Sequence, residues 1–315
     1  MSDRRPGAVP RMARGRHAAG GRQGRNQLVE ALRIVAAFGI VVFHAGGPSA
    51  ELGYAGLVVF LFLSPYFAVG PNRGRPSPVA ALGRALLLPF AAWYAVYLAA
   101  NWAFGRPLFV SDQLPGVLLA GPSIHLWFLP FLFVVLALLG LVKDRVSVVS
   151  LFWFSCLVAA LMLAGSTLWR PFALAAPVPT AQWLQALAAV FCGIAAGAGL
   201  GVPSPRRIAG FAIIALGYGS LLVWPVEGMT VPYGAGLAAC AVAIVAGKRL
   251  SPRFSVQPLA DCMLGVYLVH VLVLAIAGLV FPGVTLGRVV AAFTMSLAGV
   301  WLARRFVPQS RLVLG

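Results

Sequence analysis

The stretch Glu30-Ala-Leu-Arg-Ile-Val-Ala-Ala-Phe-Gly-Ile-Val-Val-Phe-His44 decides how the chain is read. It is one apolar helix with a cation near its start and an imidazole near its end. Arg33 and His44 return almost to the same azimuth at about 100° per residue, with Ala37 and Ile40 between them on one stripe. The rise separates them by roughly 16 Å, about half of a bilayer core of about 30 Å. An Arg and a His inside an apolar span cost free energy unless both face a polar cavity or a partner. Arg33 has simpler outlets as well. It can snorkel to the interface or pair with Glu30, three residues earlier.

The same apolar character repeats along the chain. Hydrophobic residues make up 61% and charged residues only 10%, with a mean hydropathy of +0.92, where a soluble domain carries about 25% charged residues. Apolar runs at 28–46, 53–70, 79–103, 124–142, 147–165, 183–200, 207–224, 231–247, 260–281 and 285–306 are separated by Pro, Gly and charged residues. They predict an all-α integral membrane protein, a single bundle of about ten transmembrane helices over 28–306. Residues 1–27, with seven Arg against one Asp, read as a disordered basic tail, and 307–315 as a short C-terminal tail. The first run can also be read as a signal peptide cleaved after Pro48-Ser49-Ala50. Arg33 within it and the many later spans favour a retained helix.

Charge sets the expected orientation. With the N-terminus inside, 20 of the 24 Lys and Arg fall in cytoplasmic segments. Arg106, Arg170 and Arg288 fall outside, and Arg33 lies within the first span. This predicts an N-in, C-in topology. It also accounts for the net charge of +17 without nucleic acid as a partner, since most of that charge meets the cytoplasmic leaflet and solvent. Trp102, Trp127, Trp169, Trp183 and Trp224 fall near predicted outer ends, as an aromatic belt would.

Few side chains can do chemistry. Cys156, Cys192, Cys240 and Cys262 are scattered and read as small buried hydrophobes. There is no metal-ligand spacing, phosphate-binding Gly loop, GxSxG or HExxH motif. His17 lies in the tail. His44 is near the outer end of helix 1, His125 opens helix 4 at the same depth, and His270 follows Tyr267 by one turn in helix 9. A lone intramembrane His often only bonds a neighbouring carbonyl. Together, two at one depth can line a chamber, and His reaches a hydroxyl with a suitable pKa most readily as a general base. Arg75 and Arg84 flank the inner ends of helices 2 and 3, where forked donors can hold phosphate and Pro89 can kink helix 3. Ser64-Pro65, mid-membrane in helix 2, predicts a broken helix beside a cavity.

Four stretches together carry a resemblance. Arg33 followed by His44 resembles the R-x10-H signature of the acyltransferase type 3 family of bacterial inner-membrane O-acyltransferases. Phe62-Leu-Ser-Pro-Tyr-Phe67 is similar to that family's F-x-L-S-G-[FY] segment, with Pro65 in place of the usual Gly. His125-Leu-Trp-Phe-Leu129 resembles its H-L-W-F-L element, and Gly265-Val-Tyr-Leu-Val-His270 its late Y-L-x-H element. The resemblance implies residence in the cell inner membrane and transfer of an acyl group, commonly acetyl, from cytoplasmic acyl-CoA. The acceptor would be a hydroxyl of a sugar-containing molecule. Acyl-CoA is then a co-substrate, with no permanently bound cofactor. His44 would be catalytic and Arg33 would help bind the donor, with Arg84 and Arg75 on its phosphates. His125, Ser64, Tyr267 and His270 are the candidates for acceptor binding. Direct transfer and an acyl-His44 relay both remain open. The alternative is a multi-pass transporter, which should show paired interrupted helices in corresponding halves. No such pair is visible.

Overall fold

A computed structural model describes residues 26–75, 78–247 and 255–315. The basic tail to residue 25, with His17, and the cations Lys248, Arg249 and Arg253 lie outside the described residues. The described residues form helices and no strands. Nine of these helices are long and apolar enough to cross a membrane, or ten if one bent pair is a single span. They are α1 (Gln27–Ala45), α2 (Ala50–Val69), α3 (Val79–Ala103), α4 (Ile124–Val142), α6 (Thr180–Gly201), α7 (Ser204–Val223), α8 (Thr230–Gly247), α9 (Met263–Val280) and α10 (Leu286–Phe306). The bent pair is α5 (Val148–Ala164) with Ser166–Ala175, which turn by 74° at Gly165. Each lies within a few residues of an expected apolar run, because run length and its breakers fix a span's limits.

Asn26 and Gln27, expected to end the tail, instead begin the bundle. The Asn26 side chain caps α1 by accepting from Leu28 N and Val29 N, and its Nδ2 donates to Ala243 O at 2.9 Å. A side-chain oxygen at this position satisfies donors that a helix start leaves open. α2 is the hub and packs on α1, α4, α6 and α8. α1 in turn packs on α8 and α9, and α5 lies between α6 and α7. Close approach of α1 and α2 depends on glycine. A Cβ on Gly56 would fall 2.0 Å from Ala36 O, and one on Gly53 would fall 2.6 Å from Gly39 O. Apolar side chains gain nothing by leaving lipid for each other, so backbone-to-backbone packing of this kind holds membrane helices together.

Four expectations change. α2 is not broken at Ser64-Pro65: it continues through Pro65 to Val69. Pro65 is buried, and Ser64 Oγ donates to Phe60 O at 2.8 Å, so neighbouring helices and a local bond support the gap in the ladder. Pro89 does disturb α3, but as a π-helical stretch over Gly83–Leu87 rather than a plain kink. A proline ring crowds the carbonyl four residues back, and a wider turn relieves it. Trp127 is 4% exposed and packs on Phe131, so it belongs to the core and not to a belt. The residues after Phe306 are not a free tail. Arg311–Leu314 is a short helix against α3 and α9, with Trp93 Nε1 donating to Val313 O at 3.0 Å.

Candidate active site

Three helices deliver one imidazole each to the same place. His44 is in the last turn of α1, His125 is in the tight 3-10 turn that opens α4, and His270 is in α9. Ring centroids are 5.0 Å apart for His44 and His270, 5.2 Å for His125 and His270, and 5.9 Å for His44 and His125. His125 and His270 are fully buried, and His44 is half-buried. Among the described residues no group of three or more His, Cys, Asp or Glu is placed to hold a metal ion.

Each buried ring is held from behind. His270 Nδ1 meets Tyr267 O at 2.6 Å. A carbonyl only accepts, so Nδ1 carries the proton, and in the neutral ring Nε2 presents a lone pair. His125 Nδ1 lies 2.8 Å from Ser123 Oγ, and Tyr267 OH donates to His125 O. Nε2 of both rings is buried with no hydrogen-bond partner. Tyr97 closes the group from α3. Its ring is 5.0 Å from that of His125, and its hydroxyl donates to Leu268 O at 2.9 Å and accepts from Leu272 N at 3.3 Å. The turn before His125 depends on Gly121, whose φ of +67° suits glycine, and on Asn101 Nδ2, which donates to Pro122 O at 2.9 Å.

A cavity of about 440 Å³ opens beside His44, lined also by Arg106 and Arg288. A larger cavity of about 530 Å³ runs between α1, α2 and α8 on another face of α1 and is lined by no titratable side chain. Arg33 sits near the opposite end of α1. It pairs with the buried Glu30 at 2.8 Å, one of the outlets open to it from the sequence. Between Arg33 and His44 on the common stripe, Ala37 and Ile40 are 2% and 3% exposed. The stripe is therefore packed, not an open channel.

The remaining candidates divide. Tyr267 joins the imidazoles. Ser64 does not: Tyr54 is level with Phe43 through a ring contact at 5.0 Å, and Ser64 lies ten residues, or roughly 15 Å, further along α2. Arg75 and Arg84 are exposed on either side of the α2–α3 break. Their neighbour Arg73 is structural. Its Nη2 donates to Lys143 O at 2.7 Å, and the buried Lys143 Nζ returns a bond to Arg75 O at 3.0 Å.

The family model of an acyltransferase domain matches residues 26–305. The chain belongs to the acyltransferase type 3 family. No curated protein and no solved structure gives a significant match. In this acyltransferase the elements far apart in sequence, around His44, His125 and His270, converge on one cluster, and of the three imidazoles His44 lines the adjacent cavity. Such a cluster sets one imidazole at a cavity beside two further imidazoles, an arrangement able to carry out acid–base chemistry. Sequence reading missed four members of the site. Ser123 and Tyr97 had no signal beyond being polar within or beside an apolar run. Arg106 and Arg288 were visible as rare cations of one end, but nothing in the sequence joins them to His44.

Proposed function

We propose that this membrane acyltransferase moves an acyl group, acetyl in the simplest case, from cytoplasmic acyl-CoA to a hydroxyl of a sugar-containing acceptor. The observation that carries the reading is the meeting of three imidazoles, one of them lining a cavity at the end of α1 away from Arg33. The proposed orientation is N-in and C-in across the inner membrane, supported by the bias of Lys and Arg. The donor's phosphates then meet Arg33, Arg84 and Arg75. The acceptor enters from the opposite side. His44 takes the proton of the acceptor hydroxyl, and the oxygen attacks the thioester carbonyl. The tetrahedral intermediate expels the CoA thiolate, which recovers the proton from His44. His125 and His270 orient the hydroxyl and the intermediate from within the cluster, and Tyr267 holds both in place.

The test is acyl transfer by membranes containing wild type, His44→Ala or His44→Gln, with labelled acetyl-CoA and a panel of glycans. The expected result is labelling of a glycan by wild type and its loss in both variants. Equal labelling by all three would remove His44 from catalysis. Glycan movement across the membrane with no labelling would mark a transporter instead. A labelled adduct on the protein, trapped before acceptor is added, would replace direct transfer with an acyl-His44 relay.

A further inference from the structure

We infer that the cavity beside His44 is an anion site, and that the acceptor carries a carboxylate or phosphate that binds between Arg106 and Arg288. The word acceptor rests on the acyl-transfer reading. The anion site rests on the cavity itself.

The lining has three polar contributors, His44, Arg106 and Arg288, and the remainder is aliphatic surface of α9. Two formal positive charges face the space, and no carboxylate lines it. Its volume of about 440 Å³ lies within the range of about 300–1,000 Å³ usual for small-molecule sites. Arg288 is built in. It is half-buried, and its Nε and Nη2 donate to Leu274 O at 3.2 and 3.1 Å, while Nη1 donates to Gly283 O at 3.2 Å. Those carbonyls orient the guanidinium without neutralising it, and two of its five N–H donors remain for a ligand. Gly278 supplies the seat. A Cβ there would fall 2.9 Å from Nη2 and 3.0 Å from Cζ of Arg288. An interior helix glycine is costly, and here it makes room for a charge. Arg106 faces the same space from the loop after α3, where its guanidinium lies over the Phe104 ring at 5.8 Å.

The placement of charge favours the acceptor over the donor. Only three cations fall at this end by the sequence reading, and two of them line this one cavity. The donor phosphates have the cation-rich end.

The test uses the full chain, purified in neutral detergent, with methyl glucoside, methyl glucuronide and glucose 6-phosphate as probes at low salt. Binding is read by calorimetry and by saturation-transfer NMR. Wild type should bind at least one anionic probe about tenfold more tightly than the glucoside, and high salt should erase most of the gap. The two anionic probes separate a carboxylate source from a phosphate source. Arg288→Gln and Arg106→Gln should each cut the discrimination to about threefold, and Arg288→Lys should keep part of it. Arg288→Gln also removes loop contacts. Arg106→Gln, on an exposed loop, decides the matter if the other variant does not fold. Equal binding of all three probes by wild type, or discrimination unchanged in Arg106→Gln, overturns the site. Acylation assays on the same preparations separate this from the broader reading. Anion discrimination with no acylation of any acceptor sinks acyl transfer and leaves the site. Acylation of neutral and charged acceptors at equal kcat/KM sinks the site and leaves acyl transfer.

Discussion

Replacing Gly56 with alanine tests the crossing on which the imidazole cluster depends. The new Cβ would lie 2.0 Å from Ala36 O, 2.9 Å from Ala36 C and 3.2 Å from Ala36 Cα. All three neighbours are backbone, so no side chain can swing aside. An ordinary C···O contact is about 3.3 Å, which forces α1 and α2 apart by roughly 1 Å. The crossing cannot pivot around the clash, because Gly53 and Gly39 also meet backbone to backbone one turn away, where a Cβ on either would fall 2.6–2.9 Å from the other's carbonyl oxygen. Overpacking of this kind costs about 1–3 kcal/mol, and the better helix propensity of alanine returns up to about 1 kcal/mol. A net loss of about 1–2 kcal/mol lowers the melting temperature by roughly 2–8 °C. Activity should fall further than stability. α1 carries His44 to within 6 Å of two other imidazoles, and a displacement of about 1 Å at a reacting group can cost about 100-fold in rate. The assay is thermal unfolding in detergent beside acyl transfer below the melting range. Gly219→Ala is the control, since a Cβ there meets nothing within 4 Å. A Gly56→Ala protein that melts within about 1 °C of wild type, or a control that is damaged as much, refutes the packing argument.

Tyr97→Phe removes a hydroxyl that both donates to Leu268 O and accepts from Leu272 N. It should cost about 1 kcal/mol in thermal unfolding and slow acyl transfer by loosening α9 at His270. Arg73→Ala leaves the carbonyls of Lys143 and Val146 without their charged donor. It should destabilise by about 1–3 kcal/mol, and Arg75→Ala, whose exposed side chain anchors nothing, should melt like wild type. Asn26→Ala removes the cap of α1 and the bond to Ala243 O. A loss of about 1–2 kcal/mol is expected, with faster amide exchange at Leu28 and Val29 as the local readout.

Span limits were legible because they depend on local quantities, the length of an apolar run and the residues that end it. The limits of α3 at Val79 and Ala103 and the end of α4 at Val142 fall where the sequence placed them. What depends on a distant partner was not legible. Whether Pro65 breaks α2 is decided by the helices that enclose it, and whether residues 311–314 dock is decided by an indole N–H in α3 more than 200 residues away. The site divides in the same way. His44 and His125 share a depth that can be counted along their helices, so their meeting could be expected. The arrival of His270 beside them follows from how α9 leans on α1, and Arg106 and Arg288 reach the cavity from the loop after α3 and the start of α10. The signature residues mark the candidates for chemistry. The order of helices in space decides what surrounds it.

Under the acyl-transfer reading, that order also constrains how an acyl group reaches His44. Along α1 the way is closed, because Ala37 is packed in a cluster with Met263 and Val266 of α9, and Ile40 is buried in the main core. α3 is a different kind of wall. Over its length only Leu86, Pro89 and Tyr97 are buried within the protein, the stretch Gly83–Leu87 after its first turn is wound as a π-helix, and it carries Arg84 near one end. Further along, Tyr97 touches His125 and bonds α9. One weakly packed helix thus runs from a phosphate-binding candidate to the imidazole cluster. Under the acyl-transfer reading, the pantetheine arm needs a slot that opens without unpacking the α1–α2 crossing. The seam between α3 and α9 meets that condition, since parting it breaks the Tyr97 bonds and the bridge that residues 311–314 make through Trp93, and leaves the α1–α2 crossing intact. Among the described candidate spans α3 has the smallest share buried inside the protein, which makes it the wall that parts with the least loss of packing.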